Sequence, residues 1–226
     1  MDKTKEPQYN NCLEIKESQG LTSLGLMTNQ VWYDDPKRLT FVLSRYKFVS
    51  KMLSGKKNVL EIGCADAWGS RIVKQEVDQL TVSDFDPVFI KDVNERMDLK
   101  WPMRTITHDF MKGYLQGESF DAVYLIDVLE HIRPSEESLF IDNIVNSISP
   151  TASCIVGSPS IESQIYASPP SKEGHVNCKS GPELKTLMQK YFNSVFMFSM
   201  NDEVVHTGYH PMAHYLWALC SHKKSI

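Results

Sequence analysis

The fold is decided by the segment Val59-Leu-Glu-Ile-Gly-Cys-Ala-Asp-Ala-Trp-Gly-Ser70. Its first residues form a short apolar run, which is typical of a strand buried on both faces. Gly63 follows at once, where the chain must turn tightly, and small or turn-tolerant residues with one tryptophan continue to Gly69. Apolar residues at helical spacing begin near Ser70. Because the backbone can approach a ligand where side chains are absent, a strand, a small-residue turn and a helix in this order predict a nucleotide site in an open α/β sheet.

The composition is that of an ordinary globular protein, with 42% hydrophobic and 23% charged residues over 226 positions. A chain of this length fits one domain and buries a full core. The formal net charge of −4 provides no basic field that would draw the chain to nucleic acid or to an anionic membrane. We therefore expect a small-molecule partner rather than nucleic acid or a membrane. No pattern in the sequence specifies an oligomeric state.

Three features of the sequence predict a cytoplasmic location. The five cysteines are widely scattered and contain no Cys-x-x-Cys pair, which favours reduced thiols over a disulfide framework or a zinc site. The N-terminal residues have no apolar run behind them that could form a signal peptide. No segment approaches the roughly 18 consecutive apolar residues that a membrane span needs.

The N-terminal part divides into an arm and a helix. Residues 1–30 are polar and show no sustained periodicity, so we expect a loosely held arm before a single domain over residues 31–226. Asp35 before Pro36 is a signal for a helix start. Apolar residues then recur at helical spacing from position 39 to 53 and predict an amphipathic helix.

Six further strands are predicted downstream of the first. Each is a short run, mostly apolar and bounded by turn residues, and the runs cover residues 80–83, 103–107, 120–126, 152–157, 195–198 and 215–220. Helical patterns lie between several of them. The chain therefore alternates strands and helices, as α/β proteins do.

Asp84 follows the second strand, about 20 residues beyond the first turn, where dinucleotide-binding folds hold an acidic residue. A ribose offers two hydroxyl donors and a carboxylate offers two acceptor oxygens, so we expect Asp84 to bind a ribose. The alternative is that Asp84 and Asp86 merely cap the next helix, for which Asp86 is the better candidate.

Two segments resemble the class I S-adenosylmethionine-dependent methyltransferases. Residues 61–69, Glu-Ile-Gly-Cys-Ala-Asp-Ala-Trp-Gly, are similar to the family's first motif, an acidic residue followed by alternating glycines, with alanine at two of the glycine positions. Phe-Asp-Ala-Val at 120–123, continuing to Asp-Val-Leu-Glu-His-Ile at 127–132, closely resembles the fourth strand and its exit. The resemblance extends over roughly residues 31–220.

The resemblance implies a fold and a cofactor. The fold is α/β, a seven-stranded doubly wound Rossmann-like sheet with an antiparallel last strand, helices on both faces and an N-terminal covering helix. In the family an aspartate at the position of Asp109 meets the adenine amino group, whereas Phe110 lies either against the ring or in the core. The cofactor is S-adenosyl-L-methionine, and the residues implied for its binding are Glu61, Gly63, Ala65, Asp84, Phe85, Asp109, Phe110 and Asp127.

Two loops at the carboxyl edge of the sheet are expected to surround the methyl acceptor. The first, 158–178, is rich in Ser, Pro and Gly, and a loop of this length in a compact domain is usually functional. The second, 201–214, holds three of the seven histidines and is longer than a connection between two strands requires. It is either a surface loop whose histidines are coincidental or one wall of the acceptor pocket.

The second loop contains our candidates for proton removal. Histidine is partly neutral near pH 7 and can accept a proton from a hydroxyl group. We therefore expect His206 or His210 to be the general base, with His131 after the fourth strand as a further catalytic candidate. His214 is expected to pack or to cap the last strand.

The resemblance implies an S-adenosylmethionine-dependent methyltransferase. Because His, Tyr, Asp and Glu are expected around the acceptor, we predict O-methylation of a small polar metabolite, such as a sugar or a sugar-derived precursor. A metal-assisted alternative comes from a second resemblance, to small-RNA 3′-terminal 2′-O-methyltransferases and some ubiquinone-pathway O-methyltransferases, in which two acids and one or two histidines hold a divalent metal. The residues that are similar here are Asp127, Glu130, His131 and His175. The acceptor would then be a diol or an RNA 3′ end, although the acidic chain argues against RNA. Another alternative is a catalytically silent binding subunit, which the alanines of the first motif allow.

Overall fold

One eight-stranded sheet organises the protein. The computed structural model describes residues 3–225. Its strands are β1 Asn58–Ile62, β2 Gln79–Asp84, β3 Arg104–Thr107, β4 Phe120–Ile126, β5 Ile148–Pro159, β6 Phe192–Asn201, β7 Val204–His206 and β8 Tyr215–Lys223. They lie in the order β3-β2-β1-β4-β5-β8-β6-β7. Strands β1 to β5 are parallel, and β8 runs antiparallel between β5 and β6.

The strand directions confirm the predicted doubly wound sheet with an antiparallel last strand. The strand that the sequence analysis missed is β7, which pairs antiparallel with the end of β6. It has only three residues, Val204–His206, and so short a run shows no alternating pattern. Because β6 is parallel to β5, the β6–β7 hairpin stands at the same edge of the sheet as the end of β4.

Helices cover both faces of the sheet, as predicted. They are α1 Asn10–Gln19, α2 Leu26–Asp34, α3 Arg38–Met52, α4 Ser70–Lys74, α5 Pro87–Glu95, α6 Glu137–Asn146, α7 Pro169–Gly174 and α8 Gly181–Gln189. One core packs α6 and α8 against the sheet, and the other packs α3, α4 and α5 against the opposite face. Strand β4 contributes to both, with Val123 and Leu125 in the first core and Ala122 and Tyr124 in the second, because successive side chains of a strand alternate between faces.

The N-terminal arm is more ordered on the domain than predicted. Helix α1 buries no residue, but α2 begins at Leu26 and buries Thr28 and Val31. The backbone N–H of Thr28 donates to Asp66 Oδ2 at 2.6 Å, so the carboxylate of Asp66 caps the first turn of α2. The predicted boundary at residue 31 therefore falls inside a packed helix. Local sequence does not reveal this helix start, because its own N-cap residue is Gly25 and the capping carboxylate comes from a distant turn.

The predicted amphipathic helix is α3, which lies beside the carboxyl edge of the sheet and covers it. Within residues 3–225, no helix is long and apolar enough to cross a membrane. The five cysteines are unpaired. Two of them, Cys154 and Cys220, face each other across β5 and β8, and burial raises the pKa of Cys154 to about 12, so it remains a protonated thiol.

Candidate active site

The turn after β1 adopts a left-handed backbone at three alternating positions. The φ angles are 71° at Gly63, 46° at Ala65 and 49° at Ala67. A Cβ atom at Gly63 would lie 2.4 Å from Cγ2 of Val128, so this position requires glycine. The two alanines keep the conformation that glycine adopts freely, at a cost of roughly 1–2 kcal/mol each. Alanine in place of glycine at these two positions therefore raises the energy of the turn, while the backbone keeps the same left-handed conformation.

Asp84 closes this turn at the end of β2. Its Oδ2 accepts the backbone N–H of Ala65 at 2.9 Å, and its Oδ1 accepts the N–H of Asp86 at 2.9 Å. Each carboxylate oxygen has a second lone pair, so Asp84 retains two acceptors for a diol. The capping role belongs to Asp86 alone, whose side chain accepts from Val88 N at 2.9 Å and starts α5.

Beyond Asp84 lies the outer cavity, of about 860 Å³, which includes Phe85, His108 and Asp109 in its lining. The Phe85 side chain is 72% exposed, so a flat ring can stack on it without displacing protein atoms. Phe110 does not reach this cavity. It is buried with its ring centroid 6.4 Å from that of Phe140, which selects the core alternative for this residue.

Glu61 occupies the core beneath the turn. Its carboxylate accepts from the hydroxyl of Tyr124 at 2.6 Å and from the hydroxyl of Tyr46 at 3.0 Å. Burial raises the pKa of Glu61 to about 7. Because Tyr46 belongs to α3, this carboxylate ties the covering helix to β1 and β4. Glu61 does not line the cavities described here, in contrast to the predicted direct contact with the cofactor.

The inner cavity, of about 370 Å³, lies between helices α2 and α3 and the carboxyl ends of β1 and β4. Its wall includes the turn after β1 and, on the far side, Arg45, Asp127, Glu130, His131 and His175. The sequence analysis missed Arg45. Arg45 shares the apolar face of α3 with positions 42 and 49, and a charged residue in such a row is the signal that could have identified it.

Arg45 is buried and its Nη1 pairs with Asp127 Oδ2 at 2.5 Å. Asp127 directly follows β4 and has a left-handed φ of 57°, which turns its side chain toward α3. This ion pair is electrically neutral as a whole. The structure therefore uses the predicted cofactor or metal ligand Asp127 as the partner of a buried arginine.

Glu130, His131 and His175 converge at one end of the inner cavity. One ligand atom from each lies within 4.8 Å of the others, and the two imidazole centroids are 5.2 Å apart. Asp127, the fourth residue of the predicted metal set, is not part of this cluster. Glu130 is fully buried, and its Oε1 has no hydrogen-bond partner among the described residues. Burial and, second, the Asp127 charge raise the pKa of Glu130 to about 8.

Both imidazoles of this cluster are held through Nδ1. Nδ1 of His131 lies 2.9 Å from the carbonyl oxygen of Gly174, and Nδ1 of His175 lies 2.8 Å from Oε1 of Gln164. Since a carbonyl oxygen only accepts hydrogen bonds, each Nδ1 carries a hydrogen. In the neutral rings the lone pair is then on Nε2.

The histidines of the 201–214 segment lie elsewhere. His206 Nδ1 accepts from the N–H of Gly208 at 3.0 Å, and its Nε2 faces Oδ1 of Asn201 at 2.9 Å, so both ring nitrogens are used inside the hairpin. His210 lines a separate cavity of about 310 Å³ beside Gly181. Neither residue lines the inner cavity, so their prediction as general base loses its geometric basis. His214 packs with its ring centroid 6.4 Å from that of Phe41.

Comparison with known proteins identifies the fold. Residues 59–151 match a family model described as a methyltransferase domain. No curated protein sequence matches the chain. The N-methyltransferase NodS from Bradyrhizobium japonicum WM9, solved with S-adenosyl-L-homocysteine, superposes with a TM-score of 0.64 at 20% identity, covering 84% of this chain and 90% of that one.

Two further solved structures share this architecture. The methyltransferase domain of bacterial CtHen1-C superposes with a TM-score of 0.64 at 14% identity, covering 81% of this chain and 98% of that one. The plantazolicin methyltransferase BpumL, solved with S-adenosyl-homocysteine, superposes with a TM-score of 0.60 at 13% identity, covering 95% of this chain and 98% of that one.

The residues present fit S-adenosylmethionine. Asp84 keeps free lone pairs for a ribose diol, Phe85 offers an exposed aromatic face beside Asp109, and the left-handed turn at Ala65 exposes backbone toward the inner cavity. Residues 59–151 thus match a methyltransferase domain, and the chain has the fold of the S-adenosylmethionine-dependent methyltransferases that it resembles.

Proposed function

We propose that this methyltransferase methylates a hydroxyl oxygen of a small polar metabolite, such as a sugar or a sugar-derived precursor. The observation that carries the proposal is the convergence of Glu130, His131 and His175 at the inner cavity. The volume of about 370 Å³ is in the range of small-molecule sites. Its polar end offers acceptor atoms to the hydroxyl groups of such a molecule.

The chemistry asks for positioning and for a proton acceptor. S-adenosylmethionine, when bound, supplies a methyl group that is already activated as a sulfonium. The protein must hold the acceptor oxygen in line with it and remove the hydroxyl proton. Nε2 of His131 or of His175 is the atom that we assign to this proton, because Nδ1 of each ring is already bonded.

The surroundings of His175 favour its neutral form. Burial, and second the neighbouring His131, lower the pKa of His175, so its ring is neutral near pH 7 and can accept a proton. Glu130, with a pKa of about 8, is largely protonated there and adds little negative charge. The Arg45–Asp127 pair is neutral as a whole, so the inner cavity is suited to an uncharged polyhydroxyl acceptor.

A metal-assisted reaction is the second candidate, and the same cluster favours it. Two imidazole nitrogens and one carboxylate oxygen form a mixed donor set that suits Mg, Mn or Zn-like ions. Rings held through Nδ1 by carbonyl oxygens, as His131 and His175 are here, are the usual arrangement around a metal. A diol or an RNA 3′ end would then be the acceptor, and the net charge of −4 favours the diol over RNA.

The test is methyl transfer from labelled S-adenosylmethionine to a panel of small polyhydroxyl compounds. Each sugar is paired with its amino-sugar analogue, so that oxygen methylation is separated from nitrogen methylation. We expect turnover of hydroxyl acceptors that is retained in excess chelator. Loss of turnover in chelator with recovery on adding a divalent ion would select the metal-assisted candidate. Tight binding of S-adenosyl-homocysteine without turnover of any acceptor would instead indicate a silent binding subunit.

A further inference from the structure

Gln164 lies in the short turn Glu162–Tyr166 that follows β5 and contacts the cluster through His175. Its side-chain Nε2 donates to the carbonyl oxygen of Ser160 at 3.1 Å and to Oγ of Ser163 at 3.2 Å. A carbonyl oxygen accepts only, so the amide orientation is determined by Ser160. Oε1 of Gln164 therefore faces His175, at 2.8 Å from Nδ1.

Ser160, which orients the amide of Gln164, is itself held in place by hydrogen bonds. Ser160 is fully buried, its N–H donates to the carbonyl oxygen of His214 at 3.0 Å, and its Oγ donates to the carbonyl oxygen of Ala213 at 2.6 Å. The residue that orients Gln164 is thus fastened to the segment that leads into β8. A side chain held in this way can impose a tautomer on its neighbour.

We propose that Gln164 is a positioning residue of the methyl-transfer site, which holds His175 in the tautomer with the lone pair on Nε2. Oε1 accepts the hydrogen on Nδ1, so the lone pair is left on Nε2 of a ring that lines the inner cavity. The inference rests on the proposed function, in which this lone pair takes the acceptor proton. Without the amide oxygen, the neutral ring is free to place its hydrogen on Nε2, where it cannot accept a proton.

His131 shows why Gln164 is the informative position. Nδ1 of His131 faces a backbone carbonyl oxygen, that of Gly174, which no substitution removes. Nδ1 of His175 faces a side chain. A change at Gln164 therefore alters one ring of the cluster and leaves the other held.

Three variants test the inference. Gln164→Met removes the acceptor oxygen at nearly constant length, Gln164→Glu keeps an oxygen that accepts from Nδ1–H, and Gln75→Met is the control at an exposed glutamine whose amide also donates to a backbone carbonyl. Nitrogen NMR of the His175 ring, at a pH where the ring is neutral, reports which nitrogen carries the hydrogen. The measurement uses the full chain and needs no acceptor.

We expect the hydrogen of His175 on Nδ1 in the wild type, in Gln164→Glu and in Gln75→Met, and a shift toward Nε2 in Gln164→Met. With an acceptor, Gln164→Met should lower kcat about 10-fold or more, as partners of site histidines commonly do. The affinity for S-adenosyl-homocysteine should be unchanged in all variants, and Gln164→Glu should recover most of the lost kcat. If Gln164→Met does not fold, Gln164→Ala removes the same oxygen without added bulk.

A wild-type ring with its hydrogen on Nε2, or a tautomer unchanged in the folded Gln164→Met or Gln164→Ala variant, would overturn the inference. Equal kcat in wild type and Gln164→Met would overturn it as well. Failure of the proposed function looks different: the wild type would methylate no hydroxyl acceptor, while the tautomer of His175 would still change with the amide.

Discussion

Arg45 of the covering helix lies over the ring of Tyr215 in β8, with its guanidinium carbon 3.8 Å from the ring centroid. The same guanidinium pairs with Asp127 at the end of β4. One side chain thus joins the covering helix to two strands at the inner cavity. Such a contact combines cation–π attraction with an ion pair, and it holds α3 in place over the inner cavity.

Replacement of Arg45 by methionine should therefore destabilise the fold and weaken binding at the inner cavity. The loss is expected to be about 1.5–3 kcal/mol of unfolding free energy, the range for hydrogen bonds to charged groups. Lys47→Met on the exposed side of α3 is the matched control and should change stability little. Urea unfolding measures both variants. An Arg45→Met protein as stable as Lys47→Met would show that the ion pair does not hold the helix.

Asp84→Ala should lower the affinity for S-adenosyl-homocysteine by about 1.5–3 kcal/mol, because a charged acceptor of two ribose hydroxyls is removed. Asp86→Ala is the matched control. It removes only the cap of α5 and should cost about 0.5–2 kcal/mol of stability with little effect on affinity. Calorimetric titration with S-adenosyl-homocysteine measures the affinity of each variant. Equal affinities in wild type and a folded Asp84→Ala protein would remove Asp84 from the cofactor site.

Ala65→Gly should stabilise the protein by about 0.5–1 kcal/mol. The change relieves roughly 1–2 kcal/mol of left-handed strain and gives up roughly 0.4–1 kcal/mol through the greater freedom of glycine in the unfolded chain. Ala167→Gly, at a residue with φ of −66°, is the control and should only destabilise. Thermal unfolding compares the two. A destabilised Ala65→Gly variant would mean that the Ala65 methyl group contributes packing that outweighs the strain.

Glu61 should make stability fall with rising pH. Its pKa is about 7 in the folded protein against an ordinary value of 4.5, so the folded state keeps a proton that the unfolded state releases between these values. The stabilisation that the folded protein gains from this retained proton is fully present below about pH 4.5 and is lost as pH rises to about 7 and above. Relative to Glu61→Gln, which cannot ionise, the unfolding free energy of the wild type should decline across that window. Glu14→Gln, an exposed change on α1, should follow the wild type, and parallel curves for wild type and Glu61→Gln would refute the shifted pKa.

Much of the architecture follows from short-range patterns. Short apolar runs locate the parallel strands, the small residues after β1 predict the turn, and Asp86 beside Pro87 predicts the start of α5, all of which the structure contains. The hairpin strand β7 is the exception, because three residues are too few for a period to show. Spacing alone also placed Asp84 at the turn, where its carboxylate closes the loop.

The sequence by itself determined the α/β class, the series of strands apart from β7 and the identity of the first turn, because hydrophobic patterning and turn chemistry act between neighbours in the chain. Only the tertiary structure decided which polar side chains are free to act. Both ring nitrogens of His206 have hydrogen-bond partners within its own hairpin, and Phe110 is buried in the core. Arg45 contacts Asp127, and Gln164 contacts His175, although the two residues of each pair lie far apart or in separate elements of the chain. Burial and hydrogen-bond partners depend on the packing of residues far apart in sequence, and periodicity reports only the face on which a residue lies.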